Sequence, residues 1–171
     1  MTDFDKILSG GDLRSIGKSN LVVSKIRNQK DFDDLFSLLF HTDRKIVMRT
    51  ADAIEKITLK NIDYLKHHKQ EILNLCKVAQ DIELKWHLAL LVPRLILTKQ
   101  ELGIIWQTLT TWVTNKKESK IVRVNSLQGL HNLLSQNQEL TQDFNLTLSK
   151  IEMENIPSIN ARIRKLKNAN H

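Results

Sequence analysis

Ile46-Val47-Met48-Arg49-Thr50-Ala51-Asp52-Ala53-Ile54-Glu55-Lys56-Ile57 is matched in kind twice further along the chain. The copies are Leu84-Lys85-Trp86-His87-Leu88-Ala89-Leu90-Leu91-Val92-Pro93-Arg94-Leu95 and Val122-Arg123-Val124-Asn125-Ser126-Leu127-Gln128-Gly129-Leu130-His131-Asn132-Leu133, each displaced by 38 residues. Apolar side chains fill the first, ninth and twelfth columns of all three: Ile46, Leu84, Val122; Ile54, Val92, Leu130; Ile57, Leu95, Leu133. These spacings return to one side of an α-helix, so each copy predicts a helix with a buried face. Three residues before each copy stand Asp43, Asp81 and Ser119, whose short side chains accept hydrogen bonds from the open N–H groups of a helix start. Core and cap share one period, the mark of a repeat architecture. A fourth copy, Ile159-Asn160-Ala161-Arg162-Ile163-Arg164-Lys165-Leu166, follows Val122 by 37 residues without a clean cap. Terminal repeats are expected to degenerate in this way.

Working outward, an amphipathic segment precedes each of these second helices: about 31–40, 64–79, 99–113 and 139–153. Alternation of the two predicts antiparallel hairpins stacked on one axis. At the front, Gly10-Gly11 and Gly17 break the chain, and Ser19-Asn20 can start a short helix carrying Leu21, Val22 and Ile26. The expected fold is therefore all-α, an α-α superhelix of about four helical hairpins. One domain over 1–171 is expected, with an N-terminal cap over 1–30 and repeats near 31–60, 61–97, 98–135 and 136–168.

Composition agrees. Five glycines, two prolines and few aromatics argue against an all-β sandwich. Cys76 is the only cysteine, so no intramolecular disulfide can form, which suits a reducing cytosol. The start Met1-Thr2-Asp3-Phe4-Asp5 lacks a signal-peptide pattern, and no stretch nears the roughly 18 apolar residues of a membrane span. A cytoplasmic protein with no membrane partner is expected. The net charge of +7 resides in two segments: Lys116, Lys117, Lys120 and Arg123 against Glu118, then Arg162, Arg164, Lys165 and Lys167. A solvated end cap accounts for it, and so does a footprint for an acidic partner.

Asp43-Arg44-Lys45-Ile46-Val47-Met48-Arg49-Thr50-Ala51 resembles the HEAT-repeat family, whose second helix often opens on Asp, aliphatic, basic and then small residues. Gly10-Gly11-Asp12-Leu13-Arg14-Ser15-Ile16-Gly17, with Met48-Arg49-Thr50-Ala51-Asp52-Ala53 and Lys85-Trp86-His87-Leu88-Ala89, is similar to small bacterial HEAT-repeat proteins. The resemblance covers roughly residues 10–168 and implies a HEAT-like solenoid whose second helices line a concave side.

With the first, ninth and twelfth columns buried, the fourth, seventh and eleventh share another face. The fourth column reads Arg49, His87, Asn125 and Arg162; the seventh Asp52, Leu90, Gln128 and Lys165; the eleventh Lys56, Arg94 and Asn132. This polar, mostly basic face suits an acidic peptide or a phosphate backbone, and a solvated helix face carries the same residues. Trp86 and His87 lie ahead of Pro93, which removes a hydrogen bond from the Ala89 carbonyl and should bend the helix. Trp86, His87, Leu90 and Arg94 form a candidate anchor, with packing of Trp86 between repeats the other reading. Trp106 and Trp112 share an apolar stripe with Leu102, Leu109 and Val113 and read as core.

No phosphate loop or nucleophile elbow occurs, and no histidine pair has the spacing of a helical zinc site. No cofactor is implied. Cys76 aligns with Ile72, Leu73 and Leu75 and reads as buried. Some HEAT-like proteins are alkylpurine DNA glycosylases; by that analogy Asp52 and Trp86 are candidates, although no tract matches that family's catalytic pattern. The charge pattern favours a non-enzymatic scaffold binding a protein partner, with nucleic acid as the alternative ligand, since Asp52 interrupts any basic stripe.

Overall fold

The computed structural model describes residues 4–9 and 17–169. These form ten α-helices joined by turns and short 3₁₀ segments, with no strand among the described residues. The expected Gly10-Gly11 break lies outside them. By compactness the chain divides into two units, Met1–Lys69 and Gln70–His171.

The first unit contains α1 (Phe4–Leu8), α2 (Gly17–Val23), α3 (Gln29–Phe36) and α4 (Arg44–Lys60). Asn28 caps α3 by accepting the Asp31 N–H at 2.9 Å, and the helix runs into a 3₁₀ turn, Ser37–Phe40. Asp43 caps α4, accepting the Lys45 N–H at 2.8 Å. Helices α1, α2 and α3 all pack on α4, so α4 is covered on several sides. Apart from the first residue of α5, the second unit holds the rest: α5 (Lys69–Val78), α6 (Ile82–Leu91), α7 (Lys99–Thr114), α8 (Lys120–Leu133), α9 (Thr141–Glu152) and α10 (Pro157–Ala169). Here α8 pairs with α7 in a hairpin and packs against both α6 and α10, so second helices stack side by side. Ser119 caps α8 through the Val122 N–H at 3.3 Å. Asp81 occupies the N-cap position of α6 without a side-chain capping bond.

All nine residues of the three apolar columns are buried. At about 1.5–3 kcal/mol for each fully buried aliphatic side chain, this recurrent stripe outweighs any local preference in the same helices. Trp106 and Trp112 are buried as well. The Trp106 indole donates to Asp143 at 2.6 Å, and the Lys85 ammonium lies 5.7 Å from the centre of the Trp112 ring.

Two details correct the sequence reading. Helix α2 starts at Gly17 and ends at Val23, earlier at both ends than Ser19 and Ile26 implied. Pro93 does not bend a continuing helix: α6 stops at Leu91, and Val92–Arg94 form one 3₁₀ turn. The backbone groups loosened at this exit go to Gln136, whose amide donates to the Pro93 and Leu95 carbonyls at 3.2 and 2.9 Å. Its carbonyl accepts the Leu97 N–H at 3.1 Å.

Gly103 lies on the exposed side of α7, where an added methyl would meet nothing within 4 Å. Gly103→Ala is expected to stabilise the protein by about 0.5–1 kcal/mol, because only the helix-propensity gain remains. A thermal melt should move upward by about 1–4 °C; a downward shift would contradict the open space.

Candidate functional site

The fourth column is not a surface row. Arg49, His87 and Asn125 retain 0, 1 and 9% of their exposure. A residue three positions after a buried one lies only about 60° around the helix from it. On α4 and α8, which have several helices packed on them, that angle is still covered, and on α6 the Trp86 ring lies over His87. Arg49 turns inward and donates to the Leu8 carbonyl at the C-terminus of α1, a site that favours a cation. The exposed-face reading is therefore overturned for Arg49, His87 and Asn125. Arg162, in the last helix, remains half-buried.

In the first unit, Asp52 and Lys56 are half-buried. Lys56 donates to Asp52 at 2.6 Å and to Asn20 at 2.8 Å, while Ser19 donates to the same Asp52 carboxylate. These two predicted site residues thus neutralise each other and tie α2 to α4.

In the second unit, Trp86, Leu90, Arg94 and Gln128 are half-buried and Lys165 is exposed. The Trp86 ring stacks on His87, with centroids 3.5 Å apart and planes inclined by 29°. His87 is therefore the floor under Trp86 and not a contact residue. Gln128 accepts from Arg162 at 2.6 Å and donates to Asn132 at 2.8 Å, a chain that links α10 to α8. The sequence reading missed Val124 and His131, which also stay half-open; they occupy the third and tenth columns, whose angles fall beside the seventh. The Ala89 carbonyl is not open to a ligand. A methyl added to Gly129 would lie 2.4 Å from it, so the α8 backbone covers that oxygen.

A second set of charges was not foreseen. Lys85, near the start of α6, pairs with Glu118 in the α7–α8 turn. One repeat on, Arg123 donates to both Glu154 oxygens, at 3.0 and 2.9 Å, and through Nε to the Val113 carbonyl at 2.7 Å. The two cations share the second column, so the same clasp recurs from one hairpin to the next.

Neither of two marked clefts in this unit includes the predicted face. One, of about 400 Å³, lies between α5 and α7 beside Cys76, Gln107 and Trp112, and the other, of about 530 Å³, runs along α9. Cys76 is buried, and desolvation pushes its thiol up to about 12, away from nucleophilic use. Among the described residues, no three His, Cys, Asp or Glu side chains gather as a metal site, and no helix is long and apolar enough to cross a membrane.

Comparison with curated proteins and with solved structures finds no match to the chain. The family profile described as HEAT repeat domain matches residues 12–169. That span includes all three copies of the 38-residue period and the fourth, degenerate one. With the all-α hairpins and the buried columns above, it establishes that the chain belongs to the HEAT-repeat family.

Proposed function

We propose that this HEAT-repeat protein is a non-enzymatic binding module of the cytoplasm that holds a protein partner on the second-helix face of its C-terminal unit. The observation that carries the reading is Trp86. Its ring stacks on buried His87 and is itself only half-buried, with half-buried Leu90 in the same helix and Arg94 in the turn that follows. A fixed aromatic costs little entropy on binding, and Trp with Arg is the composition of interface hot spots. Gln128 and Lys165 extend the face along the stack. In the first unit the Asp52–Lys56 pair removes the cation that a continuous phosphate-binding stripe would use, which supports protein over nucleic acid.

Capture from native cytosol, with and without nuclease, should retain partners after nuclease treatment. Trp86→Ala and Arg94→Ala should each weaken the captured pair by about 2 kcal/mol, roughly thirtyfold in Kd, measured at a temperature where a melt shows each variant folded. Unchanged affinity in both variants would remove Trp86 and Arg94 as the anchor. Loss of every partner with nuclease would transfer the function to nucleic acid.

A further inference from the structure

The inter-repeat clasps have an electrostatic consequence. Lys85 with Glu118, and Arg123 with Glu154 and Val113, bring the three hairpin turns of the second unit side by side on one edge. The turns are 79–81, 115–119 and 153–156. The clasps also withdraw the turns' glutamates from the surface: the Glu118 and Glu154 side chains are each 13% exposed and spent on buried cations. Asp81 of the first turn stays exposed, but lysines outnumber it among the outward charges. Lys77, Lys116, Lys117, Lys120 and Lys150 all lie at this edge and are exposed, and among the described residues none of them pairs with a carboxylate. Three of them crowd the start of α8, where the helix dipole disfavours positive charge. Folding therefore does not account for the cluster.

Between the lysines stand aliphatic side chains that remain exposed in the fold. Val78, Ile121 and Met153, from three successive hairpins, are 65, 45 and 75% exposed. They sit singly on turns and helix ends. Isolated aliphatic side chains on exposed turns suit insertion between headgroups, while flanking lysines suit anionic lipid. A phosphate backbone alone would leave the aliphatic groups unused, and the edge has no exposed aromatic to stack bases. We infer that the turn edge of the C-terminal unit is a peripheral docking surface for an anionic bilayer. This site is separate from the Trp86 face.

The test uses the full chain with vesicles of phosphatidylcholine alone or mixed with phosphatidylserine, read by co-sedimentation. Binding is expected only to the mixed vesicles and should fall steeply with salt. Lys116→Gln/Lys117→Gln/Lys120→Gln should lower the partition coefficient by at least about tenfold, since each lysine near such a surface is worth roughly fivefold. The triple arginine variant should retain binding. Met153→Ser should weaken binding several-fold with no change in charge. All variants alter exposed side chains, and unchanged melts show that they fold. The inference is overturned if mixed vesicles do not bind, if the glutamine variant binds as well as the parent, or if single-stranded RNA displaces the vesicles at equal charge concentration.

Discussion

Glu154→Ala is expected to destabilise the protein by about 3–5 kcal/mol, because it strands a guanidinium that folding has taken out of water. Arg123 is 2% exposed, and its charge is met by both Glu154 oxygens, which share one guanidinium nitrogen, and by the Val113 carbonyl. In an exposed pair the same deletion would cost under about 1 kcal/mol. Burial decides between the two magnitudes. A chain of this size should lose about 6–20 °C in melting temperature. Arg123→Met/Glu154→Ala should recover part of the loss, since an apolar side chain carries no desolvation penalty, and the coupling should appear in a double-mutant cycle. A loss below about 1 kcal/mol for Glu154→Ala would mean that the pair is solvated and clasps nothing.

Gly129→Ala should destabilise by about 1–3 kcal/mol even though alanine is the better helix former by about 1 kcal/mol. The added methyl would lie 2.4 Å from the Ala89 carbonyl oxygen and 3.0 Å from Leu109, and the first of these is backbone that cannot rotate away. Helices α6 and α8 must separate to admit it. Gly103→Ala in the same unit provides the control, with the same chemical change and the opposite sign. Melts of both variants test the point, and a stabilised Gly129→Ala would disprove the close contact.

The 38-residue period made the helices and their core legible in advance, because a buried stripe must repeat at helical spacing wherever the chain forms the same hairpin. The caps were legible for α4 and α8, where Asp43 and Ser119 accept the expected N–H groups. The α7 cap was legible too, though not read: Thr98 accepts the Glu101 N–H and Glu101 accepts the Thr98 N–H, a capping box evident in Thr-x-x-Glu. Pro93 was read as a bend because its local effect is plain, but the compensating Gln136 lies 43 residues away. No local pattern marks such a partner.

The site was less legible than the fold. A column pattern gives angles around one helix, and the number of neighbours decides how many of those angles water reaches. Arg49 and His87 lay at the margin; neighbouring helices closed over Arg49 and the Trp86 ring over His87. Trp86, Leu90 and Arg94 lay further round and stayed half-open.

By itself the sequence determined the helical period, the residues of the core and the membership in a repeat family, because hydrophobic periodicity and capping signals are written within a few residues of chain. Only the tertiary structure decided which polar residues are buried, where the Ala89 carbonyl goes, and which glutamates the clasps withdraw. Those outcomes depend on contacts between groups some 30 to 43 residues apart, where charge and close packing are resolved by geometry rather than by residue type.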